Sequence, residues 1–436
     1  MKHKLFFLPL ILLLMLTYSA CEKDEVTKPD ENDQEEEQQD PQSNPLNVAF
    51  YDLMQEWYLW YDQIPEVNPD SFSNPQSMLE AIRYKEDIYS YITTFQAFSQ
   101  YYEQGAYIGY GFSYRWDDTD SLRITFVFED SPLAEENIER GWVITKIDGN
   151  EIQPADNING LLGKDEIGVE HTFEFSKKDS TVTATFAKKQ ISMNTVLMDT
   201  VLQANDKDVG YFVLKSFINK TPDELQTVFE DFASKNIDEL VVDLRYNGGG
   251  TLEGCRILGE YILNDKDVGK TFVKISHNDK QTGEDTTHVF SEDPLSISLG
   301  LDRVYFITTQ ATASASEALI NGLDPYLDVK LIGQTTYGKP VGMYAFTDNN
   351  QQYAFVPVCF ELENAEGIAD YYEGLPVDVA SADDITEPFG SSQENSLYQA
   401  LYHIENGSFD QRKAGYRMIP ANKVEYRSLE DEIGAQ

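Results

Sequence analysis

The chain is poor in the residues on which several kinds of chemistry depend. Of its 436 residues only three are cysteine and five are histidine. Three cysteines make neither a disulfide framework nor a paired-thiolate metal site. Outside the N-terminal segment only Cys255 and Cys359 remain, enough for a single bridge in an oxidising compartment. Cys255 sits in an apolar helical pattern, which suits a buried bystander better than a low-pKa nucleophile. The histidines past the first residues are His171, His277, His288 and His403. None belongs to an H-E-x-x-H zinc helix, and no G-x-S-x-G elbow marks a Ser-His-Asp hydrolase. "DDTDS", Asp117 to Ser121, lacks the spacing of a calcium loop. No metal or cofactor is expected. Positive charge is scarce too: 33 Lys and Arg stand against 75 Asp and Glu, a formal net charge of -42. That balance argues against a nucleic-acid partner, because phosphate contacts need clustered cations.

What is present begins with an export signal. Lys2 and Lys4 flank the apolar run Leu5 to Leu16, which is short for a bilayer span and contains Pro9. Ser19 and Ala20 then precede Cys21, as in a bacterial lipoprotein signal over residues 1–20, where the cysteine becomes the lipidated first residue. Tyr18 is unusual at its place, where Leu is commoner. An ordinary signal peptide or a single anchor helix is the plainer alternative. Residues 21–45, "CEKDEVTKPDENDQEEEQQDPQSNP", are acidic and nearly free of apolar side chains, so they form a solvated tether. The expected location is the bacterial cell envelope, with the chain lipid-anchored through Cys21 to the outer membrane and periplasmic or surface-exposed.

Four further segments differ in texture. Residues 46–104 read as helical and aromatic, with Tyr51, Trp57, Trp60 and Tyr61 at spacings that suit core packing better than a carbohydrate platform. Residues 105–190 read as a compact β-rich unit with a small helix near Ser131 and the turn "IDGNEI". Residues 191–405 alternate β and α, which predicts parallel strands joined by right-handed crossovers. Residues 406–436 are a C-terminal tail. The β-rich unit resembles a PDZ domain. Its stretch "YIGYGF" matches the loop that, in that family, offers backbone N–H groups to a peptide's terminal carboxylate. The residues concerned are Ile108, Gly109, Tyr110, Gly111 and Phe112.

In parallel α/β sheets ligands collect at the carboxyl ends of the strands. Three unusual loops fall there: "NGGG" after "VVDLRY", "QATASASE" after "RVYFITT", and "QTTYGKP" after "DVKLIG". The last has the G-x-x-x-x-G-K spacing of a phosphate loop, but Pro340 stands where Ser or Thr should bind Mg²⁺. A helix from Ser314 leads roughly 15 Å away from the sheet edge, and the strand "DVKLIG" returns about 20 Å. Ser314 and Lys339 are therefore expected to be neighbours. A neutral lysine amine, favoured by burial, can take the proton of a serine hydroxyl that attacks a carbonyl. "SASE" is also a capping box, Ser314 at the N-cap and Glu317 three residues on, so a purely structural cap is the alternative. The two readings are compatible. At a helix N-terminus the N–H of Ala315 can face an oxyanion, and a glycine of "NGGG" can supply a second donor.

"VVDLRYNGGG", "TASASE" and "TTYGKP", in this order and after a PDZ-like segment, resemble the C-terminal processing peptidases, or tail-specific proteases, over roughly Asn47 to His403. The resemblance implies an α/β catalytic core with a mostly parallel sheet of the ClpP/crotonase kind, an N-terminal helical region, and a preceding PDZ-like domain. It implies a serine endopeptidase acting on unstructured or C-terminally recognised polypeptides. Ser314 is the implied nucleophile and Lys339 the implied general base. Backbone N–H groups of Ala315 and of Gly249 or Gly250 are the implied oxyanion donors. One departure stands out: many relatives carry Gln four residues after the lysine, and this chain has Met343 there. That departure keeps a second reading in view, a non-catalytic surface lipoprotein that binds peptide or another ligand on the same fold.

Overall fold

The computed structural model describes residues 44–291 and 297–412. The signal segment, Cys21, the tether before residue 44 and most of the C-terminal tail lie outside the described residues. The centre of the fold is a six-stranded sheet in the order Val196–Ala204, Lys207–Leu214, Glu239–Asp243, Arg303–Thr308, Asp328–Gly333, Val379–Ala380. Its first pair is antiparallel and every later pair parallel. Both faces are covered, which is why the central strands read as almost unbroken apolar runs. Phe212, Leu240 and Phe306 pack against the helices Thr221–Lys235, Leu252–Ile262 and Ala315–Leu323. Tyr211, Val241 and Tyr305 point the other way, onto the helix Asn395–Asn406. The crossover helix Thr221–Lys235 shows why these boundaries were readable. Pro lies at its start, Asp223 and Glu224 in its first turn, Lys235 in its last, and Asn236 ends it at φ +52°.

The β-rich unit is an antiparallel sheet in the order Phe112–Trp116, Leu122–Val127, Val143–Ile147, Glu170–Lys177, Ser180–Ala187. It encloses its own core of Phe112, Ile124, Leu133, Ile144, Phe173 and Phe175. The "IDGNEI" turn is made by Asp148 and Gly149, both at positive φ. The small helix spans Pro132–Glu135 and is capped by the Ser131 side chain, which accepts from Leu133 N.

The N-terminal segment holds the expected helices, Pro45–Trp57, Pro75–Ile82 and Phe95–Tyr102, but it does not close on itself. Its strand Tyr91–Thr94 pairs antiparallel with Tyr353–Val356, and Phe50, Met54 and Tyr58 share a core with Val341, Phe355 and Val358. Tyr51, Trp57, Trp60 and Tyr61 are half-buried against these cores, as packing residues. A second, antiparallel sheet runs Thr286–Val289, Thr271–His277, Val358–Glu363, Val341–Met343, and it supports the loop that carries Lys339.

A buried ionic cluster ties the β-rich unit to the core of the six-stranded sheet. Asp383 receives Arg140 Nη2 at 2.7 Å, Arg245 Nη1 at 2.8 Å and the Tyr246 hydroxyl at 2.5 Å, with Arg115 Nη1 at 3.2 Å. Arg245 is wholly buried and also meets Asp243 and Glu394. Each of these charges is paired, as burial demands.

Candidate active site

The three edge loops converge where the parallel topology places them. Thr312 Oγ1 donates to Leu244 O at 2.8 Å, and Ala313 N and Ser316 Oγ donate to Asn247 O at 3.2 and 3.1 Å. These bonds sew the Ser314 segment to the "NGGG" turn. Tyr337 N donates to Thr312 O at 2.9 Å, and Gln334 N to Thr308 O at 2.9 Å, which joins the Lys339 loop to the same segment.

Glu317 holds the arrangement together. The sequence marks it as half of a capping box, and its carboxylate does accept from Ser314 N, through Oε2 at 2.9 Å. The same oxygen accepts from Lys339 N at 2.9 Å. Oε1 accepts from Thr336 Oγ1 at 2.5 Å and from Gly338 N at 2.7 Å. Sharing one oxygen keeps the backbone nitrogens of Ser314 and Lys339 within about 6 Å, twice an ordinary N–H···O distance. Glu317 is fully buried, and burial pushes its carboxyl above the usual value against the opposing pull of its four donors.

Ser314 sits at the N-cap of the helix Ala315–Leu323 with φ +55° and ψ -116°. For a side-chain-bearing residue this backbone is strained, and such strain persists only where surroundings enforce it. Lys339 is 8% exposed. Its Nζ lies 3.7 Å from Met343 Sδ and 5.7 Å from the centre of the Tyr89 ring. The position that departs from the resembling family therefore still touches the amine, as a thioether and a weak acceptor. Met343 is aimed there by a bulge between Gly342 and Met343 in the pairing with Val358–Glu363.

The donors named from the sequence are placed unequally. Ala315 is the first residue of the helix, and its two neighbours' N–H groups are engaged, Ser314 N with Glu317 and Ser316 N with Ala313 O at 3.1 Å. Gly249 lies directly against Ser314; a Cβ there would come within 2.8 Å of the Ser314 Cβ. Its N–H, however, donates to Asn247 Oδ1 at 2.8 Å. Gly249 thus gives close approach, not a free donor, and Gly250 is the one of the two named glycines whose N–H is not taken by that side chain. Asn247 is itself fully buried, with Nδ2 lacking a partner among the described residues.

Sequence reasoning missed three contributors. Tyr89, from the N-terminal segment, donates to Gly338 O at 2.6 Å and lies beneath Lys339. Thr336 Oγ1 links Glu317 to the backbone of Leu375, accepting from Leu375 N at 2.7 Å. The segment around Tyr372 backs the lysine loop so closely that a Cβ on Gly338 would fall 2.2 Å from Tyr372 O. Cys255 and Cys359 are free thiols, both buried, so the bridge left open by the sequence is not formed. Burial pushes the Cys359 thiol up to about 12 and that of Cys255 higher still, which excludes either as a thiolate nucleophile. Among the described residues no His, Cys, Asp and Glu group is arranged to hold a metal ion.

Residues 208–358 match the model of peptidase family S41, and residues 46–91 match that of the peptidase S41 N-terminal domain. A "Probable CtpA-like serine protease" of Staphylococcus haemolyticus (strain JCSC1435) is 25% identical over 240 residues, covering 54% of this chain and 45% of the relative. One from Staphylococcus aureus (strain COL) is 26% identical over 241 residues, with the same coverage. The chain thus spans under half the length of the curated relatives it matches. An S41-family chain from Bacteroides fragilis NCTC 9343, solved by crystallography, superimposes with a TM-score of 0.69 at 24% identity, covering 83% of this chain and 97% of the other. That likeness establishes a shared mixed α/β fold. Two segments of the chain are thus similar to the domains of peptidase family S41, and about half of the chain is similar to CtpA-like serine proteases.

Proposed function

We propose that the protein is a serine endopeptidase that cleaves polypeptide through Ser314 and Lys339. The observation that carries this reading is the single carboxylate oxygen of Glu317 bonded to the backbone N–H of both residues. A plain helix cap would need only the first of those bonds. In the proposed cycle Ser314 Oγ attacks the substrate carbonyl while Lys339 Nζ takes the hydroxyl proton. The oxyanion forms against Ala315 N–H and a glycine N–H of the Asn247 turn, where the helix dipole adds to the stabilisation. As the C–N bond breaks, the ammonium returns the proton to the leaving amine. The neutral amine then activates water, which hydrolyses the acyl-enzyme. No metal or cofactor enters any step.

The PDZ-like reading of residues 105–190 belongs to the same proposal. Its support is an edge strand, Phe112–Trp116, and a short helix, Ile158–Leu162, that border a cavity of ≈ 400 Å³. Ile108, Gly109, Tyr110 and Phe112 line that cavity, with Leu162 and Lys188 among the other walls. A substrate's C-terminus would add there as a strand. Lipid anchoring through Cys21 in the bacterial cell envelope completes the reading and rests on the sequence alone; no helix among the described residues is long and apolar enough to cross a membrane.

The test is cleavage of a disordered polypeptide by protein lacking residues 1–21. Ser314→Ala and Lys339→Ala should each reduce turnover at least a thousandfold, and the wild-type rate should rise with pH as an amine base is deprotonated. Undiminished turnover in either variant would refute the dyad. Cys21→Ser should release the full-length chain from the membrane fraction; unchanged fractionation would refute the anchor.

A further inference from the structure

Seven large apolar side chains stand exposed among the described residues, and three of them, Ile88, Tyr337 and Tyr372, lie on segments that meet at the Lys339 loop. Tyr337 is two residues before Lys339 and is pinned through its N–H to Thr312 O, beside the nucleophile's segment. Ile88 precedes Tyr89, whose ring stands 6.1 Å from that of Tyr337 and whose hydroxyl holds Gly338 O. Tyr372 presses its carbonyl against Gly338 from the other side. Exposed apolar groups scattered singly need no explanation, but a concentration beside a reactive pair does.

The same ground is ringed by carboxylates. Glu86 lies two residues before Ile88, and Asp370 lies two before Tyr372. Glu361 sits opposite Val341 in the strand pairing just beyond Lys339. All three are exposed. Glu86 forms only a loose, open pair with Lys85 at 3.6 Å, and the three lie close enough to Tyr372 to push its hydroxyl pKa up, after the larger effect of burial.

We propose that this surface is the subsite for the substrate residue next to the scissile bond. Tyr337 and Tyr372, with Ile88, receive a large apolar side chain. Glu86, Glu361 and Asp370 favour a lysine or arginine close to it in the same peptide. The inference rests on the Ser314–Lys339 peptidase reading for its orientation, but its binding component can be measured without catalysis. It names the substrate class as extended, basic polypeptide segments carrying a bulky apolar residue. An acidic segment would meet repulsion from the rim, which salt would relieve because the carboxylates are open to solvent.

The experiment uses four peptides that differ at two places, Leu or Ser at one and Lys or Glu two residues away. Cleavage is followed with the wild-type protein, and binding by fluorescence anisotropy with Ser314→Ala. The Leu/Lys peptide should be cleaved and bound about tenfold better than either single replacement, a ratio typical of one apolar group in a pocket. Tyr372→Ala should abolish the Leu preference while Tyr372→Phe keeps it. Glu361→Gln with Asp370→Asn should abolish the Lys preference and its sensitivity to salt. Equal binding of all four peptides would overturn the subsite, whether or not they are cleaved. Selective binding without any cleavage by the wild type would uphold the subsite and overturn the peptidase reading.

Discussion

Replacing Glu317 by glutamine changes one atom type and should disable the site. The two carboxylate oxygens each accept two hydrogen bonds, from Thr336 Oγ1 and Gly338 N on one side and from Ser314 N and Lys339 N on the other. An amide keeps one oxygen and sets an NH₂ against the remaining two donors. Each buried donor deprived of its acceptor costs ~1–3 kcal/mol, so the pair costs ~2–6 kcal/mol. With Tm moving by about 2–4 °C per kcal/mol in a unit of this size, melting should fall by roughly 5–20 °C. Loss of a shared anchor also lets the nucleophile and its base drift apart, and a displacement of about 1 Å costs on the order of 100-fold in rate. The variant should therefore show kcat/KM down at least a hundredfold at a temperature where it is still folded by circular dichroism. The pH profile supplies an independent check. Burial raises the Glu317 carboxyl above its ordinary 4.5, so the wild type should lose activity on the acid side earlier than an exposed glutamate would allow. The sign for stability is opposite: the ionised form costs the fold, a cost absent below 4.5 that grows as pH rises through the folded value. Glu317→Gln should lack both effects. A glutamine variant within threefold of wild type in kcat/KM and unchanged in Tm would refute the clamp.

Three further outcomes are expected. Ser314→Gly should end activity yet stabilise the fold by about 1 kcal/mol, or ~2–4 °C in Tm, because glycine adopts φ +55° without strain; a fall in Tm would contradict the strain argument. Asp383→Asn should cost ~3–5 kcal/mol and expose the linkage between the β-rich unit and the core to proteolysis, since it removes the carboxylate that Arg115 and Arg140 share with Arg245, which keeps Asp243 and Glu394. Burial alone would raise the Asp383 carboxyl, but Arg140, Arg115 and Arg245 outweigh it and hold it well below 3.8. The stability it contributes is thus present above pH 3.8 and lost as pH falls through the lower folded value, so the variant should show a shallower acid limb by chemical denaturation. Met343→Leu keeps the volume beside Lys339 but removes the sulfur, a contact worth ~0.5–1 kcal/mol, and should lower kcat/KM about two- to fivefold; Met343→Gln should do no worse than the wild type.

Most of the fold and the convergence of the Ser314 and Lys339 loops were legible because their signals are local. A strand-loop-helix unit announces its ends through Pro, Gly and capping residues, and parallel crossovers then fix which loops share an edge. Ser314, Lys339 and the glycine turn came together on that logic alone. The choice between Gly249 and Gly250 lay beyond the sequence for a different reason: the Gly249 N–H is turned onto Asn247 Oδ1, a side-chain choice that spacing does not encode. Glu317 was visible only as a cap, because three of its four donors arrive from its own tertiary surroundings. The N-terminal segment misled in another way. Its helices were correct, but the pairing of Tyr91 with Val356 spans the whole length of the fold and leaves no periodic trace nearby. Tyr89 reached Lys339 by the same route.

The order of the parts along the chain has a consequence for synthesis. The glycine turn, Ser314 and Lys339 follow three successive parallel strands, and the Tyr372 segment that backs the Lys339 loop comes later still. A polypeptide emerging from its N-terminus brings these three loops together only after the Tyr372 segment has been made. An unfinished copy of the chain lacks the assembled site and so cannot use it on itself.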